Sequence, residues 1–176
     1  KVLFFMNCYK VSPEQRAELH ARLAGSGRTA VWFYAPGLID GAKAAAENIR
    51  LLTGIEVAPI SHDRPVSFKL TRRFGDLAAG RAFGIHNQVP TLFGIVRGQP
   101  GVTPLAAFSQ GGEIGMAARK MNGWTSILFC GVRFDSAVYR AIAKESGAHL
   151  YLDSDDMVSA SDNFVGITAI SDGTKC

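Results

Sequence analysis

The three cysteines are the residues of this sequence best suited to nucleophilic chemistry. Cys130 ends an apolar stretch, and a helix is expected to begin about five residues later, whose N-terminal field would lower the pKa of a nearby thiol. His149 or His62 would supply the base that such a thiol needs. Cys8 follows the first apolar stretch, and Cys176 is the last residue. These residues define one hypothesis, an enzyme that acts through a cysteine.

The residues next to Cys130 and Cys8 argue against nucleophilic catalysis by either thiol. A nucleophile on a strand-to-helix elbow is flanked by small residues, because the strained turn leaves little room. Phe129 precedes Cys130, Asn7 and Tyr9 flank Cys8, and no Gly-x-Cys-x-Gly stretch occurs. We therefore predict a packed core thiol at Cys130 and a small, partly buried side chain at Cys8, with no catalytic residue assigned.

The densest acidic cluster consists of Asp153, Asp155 and Asp156. Glycoside hydrolysis needs two carboxyl groups about 5 to 10 Å apart on a substrate cleft. Asp and Ser are also favoured in turns, because their side chains bond to nearby backbone groups. A calcium loop would need a glycine and a distal glutamate that are not at the required spacing here. The cluster is therefore predicted to be a turn or a helix cap.

No cofactor and no metal are expected. The glycines between Gly80 and Gly84 and at Gly111-Gly112 lack the spacing of dinucleotide and phosphate loops. The pairs His62-Asp63 and His86-Asn87 are isolated, whereas a metal site needs three or four converging ligands.

The length predicts one globular domain over residues 1–176, and a chain that starts directly in a strand is expected to be part of a longer protein. Hydrophobic residues make up 47% and charged residues 19% of the sequence. The net charge of +4 has its only clusters at Arg72-Arg73 and Arg119-Lys120, which are too short to bind nucleic acid. No apolar run reaches the roughly 18 residues that cross a membrane. An odd number of cysteines without CxxC spacing slightly favours the cytoplasm.

The periodicity of apolar residues predicts an α/β domain that begins with a strand, helix, strand unit. Ser12 and Gln15 are expected to form a capping box on the first helix. Residues 61–88 are predicted to be irregular. The predicted helices run from Pro13 to the glycines at 25–27, from Ala42 to Thr53, and from Asp135 or Ser136 to Glu145. The predicted strands are Val2–Met6, Ala30–Tyr34, Ile55–Ile60, Leu92–Val96, Leu105–Ser109, Glu113–Met121, Trp124–Cys130, His149–Leu152 and Phe164–Ile170.

The loop Ala35-Pro36-Gly37 follows the second strand, where open α/β folds usually bind their ligands. It offers no nucleophile, no base and no phosphate cradle. We expect it to shape the turn into the second helix, with Asp40 as the cap of that helix.

Several motifs in this order resemble the trimerisation domain of microbial beta-galactosidases and its relatives in larger glycoside-hydrolase-like proteins. The likeness spans nearly the whole chain and is weakest between Ser61 and Thr91. The motifs that carry it are Asn7, SPEQRAEL, GRTAVWFYAPGLI, ENIRLLTGI, GWTSILFCG, YRAIAKESGAHLYLDSDDMV and NFVGITAI.

The resemblance implies a flavodoxin-like three-layer α/β/α domain, with a mainly parallel central sheet and additional antiparallel hairpin strands. It is related to class I glutamine amidotransferases but lacks their activity. The parent would be a glycoside hydrolase such as a beta-galactosidase, with an N-terminal catalytic barrel and a carbohydrate substrate. The domain would form a homo-oligomer, for example a trimer, and help to wall off a neighbouring active site. Residues expected at the interface or at the rim of that site are Tyr34, Pro36, Gly37, Asp153, Asp155 and Asp156.

Two alternatives stay open from the sequence. One is a degenerate amidotransferase-like enzyme that uses Cys130 or Cys8. The other is a carbohydrate-binding module that presents exposed rings, for which the candidates are Trp32, Phe33, Tyr34 and Trp124.

Overall fold

The computed structural model describes residues 1–41, 43–60, 66–84 and 91–170. The predictions made for His62, Asp63, His86, Asn87 and Cys176 lie outside these residues. In chain order, the described elements are β1 (Val2–Phe5), α1 (Pro13–Leu23), β2 (Thr29–Phe33), β3 (Ile39–Asp40), β4 (Lys43–Ala44), α2 (Ala46–Thr53), β5 (Val57–Ile60), β6 (Phe68–Leu70), β7 (Ala82–Phe83), β8 (Leu92–Ile95), β9 (Val102–Phe108), β10 (Ile114–Lys120), β11 (Thr125–Phe129), α3 (Ser136–Glu145), β12 (Met157–Ala160) and β13 (Val165–Thr168).

The central sheet is mixed, so the chain is an α/β domain with both parallel and antiparallel strands. Its order is β1-β2-β11-β10-β9-β6-β7, and β8 joins β10 to β5. Among the described strands, parallel pairing is confined to β1 with β2 and β2 with β11. The other described pairings are antiparallel. The prediction of a mainly parallel sheet therefore holds only for β1, β2 and β11. The short connections from β9 to β10 and from β10 to β11 impose antiparallel pairing there.

Helix α1 forms as predicted. The hydroxyl of Ser12 accepts a hydrogen bond from the backbone N–H of Gln15, and the Gln15 side chain accepts one from the N–H of Ser12. This is a complete capping box, followed by Pro13 at the first helical position. None of the described helices is long and apolar enough to cross a membrane.

Helix α2 starts later than predicted, at Ala46. The preceding residues pair as the short hairpin of β3 and β4, which takes Asp40 away from the helix end. The Asp40 carboxylate instead lies 3.7 Å from the guanidinium of Arg16, and Ala45 occupies the N-cap without a side-chain hydrogen bond. The prediction that Asp40 caps this helix was wrong.

Two other predictions are corrected within the described residues. The stretch predicted to be irregular contains β6 and β7, in which Phe68, Leu70 and Phe83 are buried. Residues 149–152 form no strand, and β13 pairs antiparallel with β12 instead.

Helix α3 is confirmed, with the Asp135 carboxylate accepting a hydrogen bond from the backbone N–H of Val138 at 3.0 Å.

Aromatic side chains pack on both faces of the parallel strands, since neighbouring residues of a strand point to opposite faces. The Phe5 ring stacks on Trp32 at 4.2 Å, and Phe5 lines a cavity that it shares with Leu19 of α1. The Phe4 ring lies 5.2 Å from Tyr139 of α3, which also stacks on Phe33. Helices α1 and α3 therefore contact opposite faces of this part of the sheet.

Candidate functional site

The carboxyl ends of the parallel strands carry two residues with an unusual backbone. Asn7 after β1 has φ 56°, and Tyr34 directly after β2 has φ 62°. A positive φ is uncommon outside glycine and often accompanies a functional site. The backbone N–H of Tyr34 donates to the carbonyl of Phe129 at 2.7 Å, which fixes this turn to the end of β11.

Tyr9 and Tyr34 form an aromatic pair at this edge. Their ring centroids are 6.0 Å apart and the rings meet edge to face. The Tyr9 hydroxyl donates to the Asn7 side-chain oxygen at 3.0 Å, and the Tyr34 hydroxyl donates to the carbonyl of Thr91. Desolvation raises the pKa of Tyr34, so its hydroxyl stays protonated near neutral pH. This edge presents aromatic surface and hydrogen-bonding groups beside the partly exposed Cys8.

The loop after Tyr34 is a packed connection. Pro36 and Gly37 are buried, and the Gly37 N–H donates to the carbonyl of Cys8 at 2.7 Å. A Cβ on Gly37 would lie 2.9 Å from Leu52 Cδ2, and Gly37 has φ 65°. Glycine is therefore needed here for the close approach of α2 as well as for the backbone conformation. Of the three residues predicted at this rim, Tyr34 is the one that is partly exposed.

The two described cysteines lack the surroundings of a nucleophile. Cys130 is fully buried, and burial raises the pKa of its thiol. Cys8 is partly exposed, and desolvation also raises its pKa. Among the described residues, neither thiol is hydrogen-bonded to a histidine or a carboxylate. His149 is exposed and packs its ring against Tyr151 at 4.8 Å. Because a raised pKa lowers the thiolate fraction, these cysteines suit packing better than catalysis.

Two residues of the acidic cluster bind helix α3. The Asp153 carboxylate accepts from Lys144 Nζ at 2.7 Å. The Asp155 carboxylate accepts from the Ser136 hydroxyl at 2.5 Å and from Arg140 at 2.7 Å. Those two donors hold the pKa of Asp155 below its ordinary value, with Ser136 the larger cause.

Asp156 has a different task, because it is buried and holds the end of the β12–β13 hairpin. Its carboxylate accepts from the Ser154 hydroxyl at 2.7 Å and from the backbone N–H of Ile170 at 2.8 Å. The described residues contain no group of three or more His, Cys, Asp or Glu side chains that could hold a metal. The cluster therefore joins the hairpin to the domain, mainly through contacts with distant residues and not through the local backbone bonds expected of a turn or a helix cap.

Most of the rings considered for a sugar platform are buried. Trp32, Phe33 and Trp124 are exposed by 5% or less, so they belong to the core. Tyr34 remains as an exposed candidate, and the structure adds Tyr9 beside it. Sequence reasoning did not single out Tyr9, because it lies between β1 and α1, where no periodicity of apolar residues shows which way a ring points.

The fold is similar to part of several solved beta-galactosidases. The enzyme from Bacillus circulans sp. alkalophilus matches with a TM-score of 0.67 and 18% identity over 90% of this chain and 24% of that chain. The cold-adapted enzyme from Rahnella sp. R3 matches with a TM-score of 0.66 and 13% identity over 90% and 25%. Gan42B, a GH42 beta-galactosidase from G. stearothermophilus, matches with a TM-score of 0.61 and 17% identity over 90% and 24%.

The chain thus spans about a quarter of the length of the structures that it matches. No family model and no curated protein matches its sequence. The chain has the fold of a domain that occurs within GH42 beta-galactosidases.

Proposed function

We propose that this chain is a non-catalytic domain of a glycoside-hydrolase-related protein, in which it joins subunits and helps to complete a carbohydrate site. Its proposed architecture is the flavodoxin-like, three-layer arrangement of the amidotransferase-like superfamily. The likeness to beta-galactosidase structures supports a place within a glycoside-hydrolase-related protein. The raised pKa values of the Cys8 and Cys130 thiols support a non-catalytic role. The hydrolytic carboxylates would belong to an N-terminal barrel of the parent.

One surface carries the assembly part of this proposal. We call it the apolar hairpin, which consists of residues 157–170 and contains β12, β13 and the turn between them. Met157, Phe164 and Ile170 are 63%, 66% and 64% exposed, and three neighbouring apolar side chains are also exposed. Those three are Val158, Val165 and Ile167. Patches of this kind are uncommon on soluble monomers unless they serve as an interaction site.

The edges of the apolar hairpin are also suited to association. Among the described strands, β12 and β13 pair only with each other, in a regular antiparallel register. Residues 157–170 contain no Lys and no Pro, and their single charge is Asp162. Natural edge strands usually carry lysines, other charges or prolines, which prevent pairing with the edge of another chain. A two-stranded sheet by itself is marginal in water, so this hairpin depends on its contacts with α3, and a partner that covers it would add stability.

A second copy of this chain is the partner that we propose for the hairpin. Two copies can approach with little charge repulsion, because each brings only Asp162. If the six exposed apolar side chains of both copies were covered, the buried surface would be on the order of 1,000 Å², the lower range for a stable interface.

The experiment is light scattering of the chain and of its parent over a range of concentrations. We expect an oligomer, and we expect Phe164→Ser with Ile167→Ser to shift it toward the monomer. Leu51→Ser on α2 is the control, since Leu51 is 40% exposed and lies outside the hairpin. A parent that stays monomeric would refute the assembly role.

For the carbohydrate site, the Tyr9–Tyr34 pair is the rim that we propose. Aromatic rings bind the apolar faces of sugars, and the carboxyl ends of parallel strands are the usual ligand edge of such folds. Tyr34→Ala in the parent would raise KM for its saccharide if the ring contacts substrate. An unchanged KM would remove this part of the proposal.

A further inference from the structure

Two basic pairs that are far apart in sequence, Arg72-Arg73 and Arg119-Lys120, meet at one cavity of about 590 Å³. Arg72 and Arg73 follow β6, whereas Lys120 ends β10. All three line the cavity, together with residues of β9 and β11 and the end of α3. Each pair is too short to track a nucleic-acid backbone, but together they concentrate positive charge in a concave site.

The cations of this cavity retain capacity to bind a ligand. Within the described part of the chain, the Arg72 side chain has no hydrogen-bond or ion-pair partner. Arg73 uses only Nε, which donates to the Gly75 carbonyl at 3.1 Å, and Lys120 Nζ donates to the Thr125 hydroxyl at 2.9 Å. Arg119 also lines the cavity, but its guanidinium donates to the carbonyl of Gly54.

The acidic groups near the cavity are fewer than the cations. Glu145 lines it, and Asp76 is next to the lining residue Gly75. The Asp76 carboxylate accepts from Lys144 Nζ at 2.7 Å, an ammonium group that it shares with Asp153, and it also interacts electrostatically with Arg73. The carboxylates of Glu145 and Asp76 therefore offset only part of the positive charge of Arg72, Arg73, Arg119 and Lys120.

The remaining lining is typical of a sugar site. Leu105 and Ala118 supply apolar surface, Phe74 supplies a partly exposed ring, and Thr103 and Thr125 supply hydroxyls. A volume of 590 Å³ lies within the range of ordinary ligand pockets, roughly 300 to 1,000 Å³, and is far more than one oxyanion fills. Glu145 would repel a bare polyanion but would accept hydrogen bonds from sugar hydroxyls.

We propose that this cavity binds an acidic saccharide, whose carboxylate or sulfate group is held by Arg72, Arg73 and Lys120. The planar guanidinium of arginine can donate two parallel hydrogen bonds to two oxygens of a carboxylate or sulfate group, and lysine adds a point charge. The choice of a saccharide rests on the proposed carbohydrate function. The convergence of charge rests only on the geometry of the cavity.

The test is calorimetric titration of the folded chain with four probes: a galacturonate disaccharide, a sulfated galactose disaccharide, a neutral galactose disaccharide and inorganic sulfate. We expect at least one acidic sugar to bind, and the neutral sugar to bind about tenfold more weakly. The two acidic probes distinguish a carboxylate from a sulfate ligand. Binding should weaken as salt is added, since the cations are exposed.

Variants inside and outside the cavity test whether the acidic sugar binds there. Arg72→Gln and Lys120→Gln should each weaken the acidic sugar about tenfold, because each removes a charge-assisted contact. Lys43→Gln removes an exposed cation of β4 that does not line the cavity, and it should leave binding unchanged. Circular dichroism of each variant confirms that the fold is intact.

Three results would overturn the inference. They are a Kd weaker than about 1 mM for both acidic sugars, equal binding by the wild type and Arg72→Gln, and inorganic sulfate binding as tightly as the acidic sugars. The outcome is separate from that of the assembly proposal. A monomer that binds an acidic sugar at Arg72 refutes only the assembly role, and an oligomer that binds none refutes only this inference.

Discussion

The indole N–H of Trp32 donates to the hydroxyl of Ser126 at 3.1 Å, which joins β2 to β11 through two fully buried side chains. Trp32 thereby satisfies its one polar group inside the core, while its ring stacks on Phe5. The pairing requires the parallel register in which Ser126 lies opposite Ala30.

Replacement of Ser126 should show how much the Trp32–Ser126 hydrogen bond contributes to stability. Ser126→Ala leaves the buried indole N–H without its acceptor, and the free energy of unfolding should fall by about 1 to 3 kcal/mol. Urea denaturation followed by tryptophan fluorescence measures it. Ser159→Ala, at an exposed position of β12, is the control. An equal effect of both substitutions would contradict the prediction.

Gly115 should tolerate no side chain, because a Cβ there would lie 2.4 Å from Phe68 Cε1. We expect Gly115→Ala to lower the free energy of unfolding by about 1 to 3 kcal/mol through overpacking. At Gly94 the nearest atom, Ile60 Cγ2, is 3.0 Å from the built Cβ, so Gly94→Ala should cost less. Thermal denaturation ranks the two variants, and the reverse order would show that this region repacks freely.

The thiols should react slowly in the folded protein. Burial raises the pKa of Cys130 and Cys8, so at pH 7 the thiolate fraction of both is below that of an ordinary cysteine. In a Cys176→Ser background, we expect labelling by a disulfide reagent to be slow, faster at Cys8 than at Cys130, and to accelerate as pH rises. Rapid labelling of either at neutral pH would revive the enzyme hypothesis.

Asp155 should contribute stability that depends on pH. Ser136 and Arg140 lower its pKa in the folded protein below the ordinary value of 3.8, so the unfolded chain takes up the proton first as pH falls. The contribution is therefore present above pH 3.8 and is lost as pH falls toward the folded pKa.

The measurement is the difference in unfolding free energy between wild type and Asp155→Asn, followed downward from neutral pH. We expect the difference to shrink through this acidic window. Asp162→Asn, in the turn between β12 and β13, serves as the control. A difference that stays constant down to the acid limit would show that the ion pair is not responsible.

Local signals predicted the local structure of this chain well. The capping box at Ser12 was confirmed, and Asp135 is the cap among the two residues predicted for α3, because each cap depends on residues only three positions away. The predicted packing of Cys130 was confirmed because a continuous apolar run indicates a buried strand.

Features set by distant contacts were missed. Strand β12 has no long apolar run, and β13 alone could not reveal its partner. The hairpin of β3 and β4 has two residues per strand, too short for a visible alternation, and it displaced the predicted cap. The basic pairs met only because β6 and β10 both neighbour β9 in the sheet.

The attachment of the apolar hairpin has a consequence for association. Asp153 and Asp155 bind side chains of α3, and Asp156 holds the N–H of Ile170. The hairpin is therefore oriented before any partner arrives, so the entropy loss of ordering it is incurred during folding. Such preorganisation favours tight binding from a small surface.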